Sequence, residues 1–522
     1  MSCLVFTACY EDDTTLGLNE IPSVEFRKDD YNKKVSISQL DYVRINPVQV
    51  TEFREETDDI VLSEEPYILE MKTTYIDEEV EYTWEIGSDL ENPEFEVIHI
   101  GKNLDYQMDL QPSPSTWQPY LLRLVVYDKA NDIKQFFKLQ LVVNSIIGEG
   151  LAISETKDGV TCDISLLMTP EVTKDYTTVR ILRNLYSDIN GENVNGIIKK
   201  LCDGTVKYVK KLFAITDNSI MKLSCDNIEV ESKDLELFSY TPENLIVQNL
   251  TSTGNGPCIC VVDDQLYMDH FGGQDQFCAP FDFAYKVPGV YSCNYWYNAN
   301  WFKQTMCFYQ EELGKFMYVS KVPDYWTPAV INEFADDLNS DFNPNDLPGK
   351  QNIAAGQSHY RNMFIHILKD KASGSMELYL INGNDSNGPT ASRKIDLSGA
   401  PEIDNALGFD FSDDKELLYY YTDKKIYGVS YGSSTPFIEE KYSFDGEEIT
   451  TCHIFQQAYY QGTYSTSGYY PMTNNMIVAS TYSNEGKIYF LPMKDSQLGN
   501  IDKDNIQIFN GFDRITAIGA KR

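Results

Sequence analysis

The chain has 522 residues, 42% of them hydrophobic and 13% aromatic with 36 tyrosines, a globular composition too long for one ordinary core, so two or three domains are expected. A formal net charge of −36 argues against nucleic acid, whose phosphates need clustered Lys and Arg, and against charge-driven docking on an anionic bilayer. No stretch reaches the ~18–20 apolar residues of a membrane helix, so any membrane attachment is covalent or through a partner.

The chain starts with a short apolar run, Leu4-Val5-Phe6-Thr7-Ala8, then Cys9, and the acids Glu11, Asp12 and Asp13 follow almost at once. A core strand does not run straight into three acids. The order resembles the end of a bacterial lipoprotein signal, in which the cysteine sulfur takes the diacylglycerol. Phe6 stands where such signals usually carry Leu, and no basic residue precedes Arg27, so Met1 reads as a late or misassigned start. Tyr10-Glu11-Asp12-Asp13 resembles the acidic export tag of surface lipoproteins of the Bacteroidota. Residues 1–9 are then a signal remnant with its lipobox, and 10–22 a tag and flexible tether.

Residues 23–147 are expected to form a β-sandwich. VSISQLDYVRI (35–45) alternates, YTWEI (82–86) carries Trp84, and YLLRLVVYDKAND (120–132) runs apolar into Asp128. A tryptophan on an early-middle strand and a late strand ending in a Tyr-Asp turn suit an immunoglobulin-like sandwich. Tyr82-Thr83-Trp84 resembles the central strand of PKD domains, and YLLRLVVYDKAN their closing strand.

Beyond Asn144 a pattern of two strands and a tight polar turn recurs. It appears at LAISETKDGVTCDISLL (from 151), LFAITDNSIMKLS (212), CVVDDQLYMDH (260), KFMYVSKV (315), MFIHILKDKASGSMELYLIN (363), LLYYYTDKKIYGVSY (417) and MIVASTYSNEGKIYFLPM (476). Units of ~40–50 residues or a little more, with several short strands each, point to a β-propeller of about seven blades over residues 148–522. The final FDRITAIGAKR is expected to supply a strand that closes the ring beside the first blade. One insertion, TPAVINEFADDLNSDF, is predicted as a helix: Thr327 suits the N-cap, Pro328 the first turn, and Val330, Phe334 and Leu338 share a face.

Catalytic and metal motifs fail on context. GVSYG (428–432) matches the nucleophile elbow, but no helical start follows it. SDINGEN (187–193) lacks the glycine and the final glutamate of a calcium loop, and NGNDSNG (382–388) suits a hairpin loop. The five histidines never pair at ligand spacing, and the cysteines read as structural thiols, with Cys258 and Cys260 on one face of a strand. No catalytic residue, metal or cofactor is therefore expected.

What remains is aromatic. YSCNYWYNANWF (291–302) and YYQGTYSTSGYY (459–470) interleave rings with Asn, Gly, Ser and Thr, as adaptable contact surfaces do. Tyr295, Trp296, Tyr297, Trp301, Tyr464, Tyr469 and Tyr470 are the candidate ligand or partner contacts; packing within and between blades is the alternative.

Taken along the whole chain, lipidated cysteine, acidic tag, PKD-like sandwich and propeller resemble the PKD-like family surface lipoproteins of Bacteroidota. The resemblance implies a lipid-anchored protein on the outer face of the outer membrane, accessory to a SusC-type TonB-dependent transporter and a SusD-type lipoprotein. Its role would be non-catalytic capture or scaffolding for an oligopeptide or oligosaccharide. A surface hydrolase or an adhesin are the alternatives, since propellers host many functions.

Overall fold

The computed structural model describes residues 22–521 except 31–32, 55–59, 61–64, 89–92, 114–117, 174–175, 177, 207–208, 253–257, 270–275, 279–284, 299–300, 320–329, 337–339, 359–361, 384–387, 457–471 and 495–497. Cys9, Glu11, Asp12, Asp13, Tyr464, Tyr469 and Tyr470 lie outside the described residues. The chain divides into two compact units, Met1–Ile146 and Ile147–Arg522.

In the first unit two sheets share one core. The five-stranded sheet runs in the order Lys34–Ser38, Ile133–Asn144, Tyr120–Asp128, Val80–Gly87, Phe95–Ile100, and the four-stranded sheet in the order Val24–Phe26, Tyr67–Thr73, Tyr42–Gln49, Leu104–Gln107. Val43, Ile45, Leu69 and Met71 from one sheet meet Trp84, Leu124, Phe137 and Leu139 from the other, all fully buried. The Trp84 indole donates to the Lys102 carbonyl at 3.1 Å, which satisfies its only polar group.

VSISQLDYVRI is not one strand. It breaks at Leu40, whose φ of 67° turns the chain, and its two halves join different sheets. Lys34–Ser38 pairs in parallel with the end of Ile133–Asn144. Nor is Tyr120–Asp128 the closing strand, because Ile133–Asn144 follows it as a hairpin partner. Asp128 makes that turn, accepting the backbone N–H groups of Ala130 (2.9 Å) and Asn131 (3.1 Å). A buried ion pair, Arg27 to Asp30 at 2.8 Å, with the Tyr67 hydroxyl donating to Asp30 at 2.9 Å, ties the first strand's exit to the four-stranded sheet.

Among the described residues the second unit consists of seven antiparallel sheets, numbered by chain order, the first five-stranded and the other six four-stranded. Sheets 2 to 7 are each built from four consecutive strands and begin with Lys200–Val206, Val247–Ser252, Tyr291–Asn298, Lys350–Ser358, Gly408–Phe411 and Glu448–Ile454. Sheet 1 takes Gly150–Thr156, Thr161–Met168 and Arg180–Leu182, and its fourth strand is Arg514–Lys521 from the end of the chain, paired antiparallel to Gly150–Thr156.

Seven buried clusters lie between consecutive sheets, the last joining sheet 7 to sheet 1 through Val478, Ile488 and Phe490 against Leu151 and Ile153. Each sheet is thus covered on both faces. Cys258, Cys260 and Val262 face sheet 2, while Ile259 and Val261 face sheet 4, which is the physical content of the Cys-x-Cys spacing. Burial pushes the thiols of Cys260, Cys307 and Cys452 up, so they remain protonated packing groups.

The recurring pairs of the sequence fall on the second and third strands of these sheets, as in Met363–Asp370 with Met376–Asn382 and Met476–Tyr482 with Gly486–Pro492. GVSYG lies where the third strand of sheet 6, Lys425–Ser430, turns into the fourth, Phe437–Ser443, with no helix after it. SDINGEN overlaps a short helix, Leu185–Asn190, capped by Gly191.

The helix expected over 327–342 does not form. Residues 327–329 and 337–339 lie outside the described residues, and Ile331–Glu333 is the outer strand of sheet 4, paired with Lys315–Val319. Phe334 and Phe342 instead complete the core between sheets 4 and 5, with Phe342 4.9 Å from Tyr379, and Val330 is half exposed. Burial of Phe334 and Phe342 in that core and pairing of Ile331–Glu333 along Lys315–Val319 outweigh the local helical signals.

Candidate functional site

An even number of antiparallel strands returns the chain to the end of the sheet where it began, so the inner strands of sheets 2 to 7 all start at one end. Residues in or just before the first strands of sheets 3 to 6 line an open pocket of about 330 Å³. Its walls are Asn249 from sheet 3, Gly289, Val290 and Tyr291 entering sheet 4, Ile353, Ala354 and Ala355 in sheet 5, and Ala406, Leu407, Gly408 and Phe409 entering sheet 6. Glycine is required at two of these positions. A Cβ at Gly408 would lie 2.7 Å from the Tyr421 ring and one at Gly289 2.9 Å from Gln248 Cβ.

Two charged side chains belong to this region. Lys200 begins the inner strand of sheet 2 and donates to Asn249 Oδ1 at 2.8 Å; Asn249 in turn donates to the Gly289 carbonyl at 2.8 Å. Asp410 follows Phe409 in sheet 6 and accepts the backbone N–H groups of Phe411 (3.0 Å) and Ile454 (2.5 Å), the second reaching across to sheet 7. Both are partly buried. Burial pushes the Lys200 ammonium down and the Asp410 carboxyl up to about 6, the latter held lower than burial alone would place it by its two backbone donors and by Lys200.

Behind the wall a neutral network joins sheets 4 and 5. Asn352 Nδ2 donates to the Val290 carbonyl and to His366 Nδ1, each at 3.2 Å, and His366 Nε2 then donates to Ser292 Oγ at 3.0 Å. Burial pushes the His366 imidazole down to about 3, so it is uncharged and structural. Among the described residues no group of three His, Cys, Asp or Glu side chains is arranged to hold a metal ion.

The aromatic tract 291–302 lies across the opposite direction of the same sheet. Tyr291–Asn298 pairs with Trp301–Gln310 from Tyr291↔Phe308 to Asn298↔Trp301, whereas the third strand, Lys315–Val319, pairs only with Met306–Gln310. The stretch from Asn294↔Thr305 to Asn298↔Trp301 therefore has no third strand among the described residues and forms a two-stranded ribbon beyond the sheet. Its register sets Tyr295 opposite Gln304, Trp296 opposite Lys303, Tyr297 opposite Phe302 and Trp301 opposite Asn298; the side chains of 294–298 and 301–305 lie outside the described residues. The base of the tract is core: Tyr291 and Cys293 are buried, with the Tyr291 hydroxyl 3.1 Å from Thr251 Oγ1. Tyr459 to Tyr470 lie outside the described residues.

Sequence reasoning singled out the ribbon by its rings but missed Lys200, Asn249 and Asp410. Each is an ordinary polar residue in its own strand, and only the meeting of separate sheets brings them to one place.

Residues 38–197 match the PKD-like family model, a stretch that begins in the first unit and ends just past Val194–Asn195, which pairs with Thr161–Met168 of sheet 1. No curated protein matches the chain. Among solved structures it is similar to a quinonprotein alcohol dehydrogenase-like protein of Bacteroides thetaiotaomicron, 11% identical over 97% of this chain and 100% of that one, with a TM-score of 0.42. It is also similar to the β-propeller domain of Myceliophteria thermophila Cps50 (Swd1), 11% identical over 62% and 90% of the two chains, with a TM-score of 0.36. A third similar structure is the WD40 domain of SCAP from fission yeast, 10% identical over 61% and 75%, with a TM-score of 0.33.

Proposed function

We propose that the first unit is a PKD-like sandwich, the second a closed seven-bladed propeller, and the whole a non-catalytic binding or scaffolding subunit on the cell surface. In this reading a lipid on Cys9 anchors the chain to the outer membrane, and Glu11, Asp12 and Asp13 direct it to the outer face. It serves a SusC-type TonB-dependent transporter and a SusD-type lipoprotein in the uptake of oligopeptide or oligosaccharide. The family match supports the PKD-like part, and the cycle of seven inter-sheet cores supports ring closure.

The observation that supports a binding role is the ribbon of sheet 4, which among the described residues continues past its third strand, with Tyr295, Trp296, Tyr297 and Trp301 on it. Two strands alone do not bury a core, so rings placed there serve a contact. Truncating an anchor ring at an interface commonly costs more than ~2 kcal/mol of binding. A ring in an inter-blade core costs about 3–5 kcal/mol of stability instead.

The test is Trp296→Ala and Trp301→Ala, made separately, with melting midpoint and co-purification of transporter and SusD-type partner from gently solubilised outer membranes. The expected outcome is an unchanged melt with lost association; a large fall in melting temperature for both variants rejects the contact role. The anchor is tested by Cys9→Ala, which should move the protein out of the membrane fraction, and full retention of that variant refutes lipidation at this residue.

A further inference from the structure

In the five-stranded sheet of the first unit, Phe137, Leu124 and Trp84 point into the shared core, so the residues that alternate with them lie on the outer face. Strand register arranges that face in rows. Lys134, Tyr127 and Glu81 make the first row, Phe136, Val125 and Thr83 the second, and Lys138, Arg123 and Glu85 the third. Ile100 extends the second row and Val97 the third, on the edge strand Phe95–Ile100.

The apolar part of this face is uncovered: Ile100 is 69% exposed, Val97 51% and Phe136 37%. The Arg123 guanidinium lies 3.3 Å from the Phe95 ring centroid and 4.9 Å from that of Phe136, which fixes both rings on the outer side. The first and third rows are charged in one sense, basic on Ile133–Asn144 and acidic on Val80–Gly87. The acids are already engaged, Glu85 with Arg123 at 2.6 Å and Glu81 with Lys129. Lys134 and Lys138 form no ion pair among the described residues, in a chain with 79 acidic residues against 43 basic ones.

We propose that this face pairs with the same face of a second copy of the chain, about a two-fold axis running along Tyr120–Asp128. Such an axis exchanges the strands on its two sides. Lys134 and Lys138 of one copy then come over Glu81 and Glu85 of the other, and Phe136 comes over Thr83. An axis across the strands would instead set lysine over lysine and glutamate over glutamate. A partner of one charge sign would match half the face and be repelled by the other half; a second copy matches both. Five strands spaced about 4.8 Å apart, with about 3.4 Å per residue, give a face of roughly 600–700 Å². That is a little below the ~800 Å² per partner of a standard interface, so the dimer is weak and depends on salt. It requires neither the lipid on Cys9 nor the aromatic ribbon.

The experiment is sedimentation velocity on the full chain carrying Cys9→Ala, so that no lipid drives association, over 1–100 µM at pH 7.5. A concentration-dependent dimer is expected in 50 mM NaCl, with a Kd about tenfold higher in 500 mM NaCl. Lys134→Glu with Lys138→Glu should weaken self-association at least tenfold, and so should Glu81→Lys with Glu85→Lys. An equimolar mixture of the two double variants should recover the dimer, because each then meets the opposite charge. A chain that stays monomeric at 100 µM in low salt, a dimer indifferent to both charge reversals, or no recovery in the mixture each overturns the proposal. If the Glu81→Lys, Glu85→Lys chain does not fold, the lysine variant and Phe136→Ser decide, and self-association unchanged in both overturns it.

Discussion

Tyr42–Gln49 in the first unit buries Val43, Ile45 and Pro47 and leaves the residues between them partly exposed, whereas Cys258–Val262 in the second buries all five of its residues. The difference follows from what covers each sheet. In the first unit two sheets share one core, so each hides one face and its strands alternate. In the second every sheet lies between two others, and both faces of its second and third strands need apolar side chains. The first unit stands on a single core; each sheet of the second stands on its neighbours, and the first and last meet through Arg514–Lys521.

The largest effect should come from opening that dependence. A chain ending at Ser412 loses the later strands of sheet 6, all of sheet 7 and the strand that completes sheet 1. Calorimetry should then show no cooperative transition for the second unit, while a chain beginning near Gly148 should retain one. A cooperatively melting product ending at 412 would show that the sheets do not need one another.

Next in size are two changes in the shared core of the first unit. Trp84→Ala removes a fully buried ring and should cost about 3–5 kcal/mol. Asp30→Ala removes the carboxylate paired with the buried Arg27 guanidinium and should also cost about 3–5 kcal/mol. Both should lower the transition of the first unit and leave that of the second in place; a shift of both transitions together would break the comparison.

Acid should separate the units further. His366 is held uncharged between sheets 4 and 5, with its pKa pushed from about 6.5 down to about 3, and His453 is pushed down to about 4. Between these values the unfolded chain binds more protons than the folded one, so stability rises with pH. The contribution is complete above pH 6.5 and is lost progressively as pH falls toward 3, on the order of a few kcal/mol for His366. Asp410 works the other way, because its raised pKa of about 6 lets the folded state bind a proton first, so its charge weakens the second unit as pH rises from 4 to 6. Denaturant midpoints across pH 3–8 should therefore lose part of their acid-side decline in His366→Gln. An unchanged acid-side slope in that variant would remove the histidine from this account.

The smallest effect is predicted at the surface of the closing strand. Arg514 pairs with Glu448 at 2.8 Å, but the two side chains are 41% and 50% exposed. Arg514→Gln should change the melting free energy by less than about 1 kcal/mol and lose even that in high salt. A larger cost would mean that ring closure depends on this pair as well as on the ladder of Arg514–Lys521.

The strand-turn-strand repeat was legible because its signals are local: β-branched and aromatic runs on either side of short polar turns such as Asp263-Asp264. The segment 327–342 was misread for the complementary reason. Its cap and spacing are those of a helix, but Phe334 and Phe342 are drawn into the core between sheets 4 and 5, and Ile331–Glu333 follows the free edge beside it. The rings of 291–302 announced a site by composition. That Tyr291 at its base is buried while, among the described residues, Lys315–Val319 pairs no further along Trp301–Gln310 than Met306 is a matter of strand pairing, which no residue within the tract encodes.

By itself the sequence determined that the chain is all-β, that its first part alternates as one-sided strands do, and that its second part repeats a hairpin whose strands are apolar on both faces. These properties belong to side chains a few residues apart and follow from the period of the pleat. Only the tertiary structure decided that Arg514–Lys521 completes sheet 1, that Leu40 sends two halves of one apparent strand into different sheets, and that Lys200 of sheet 2 meets Asn249 of sheet 3. Backbone hydrogen bonds between distant strands are the same for every residue type, so their pairing is set by which surfaces can be buried together, and that is a property of the whole fold.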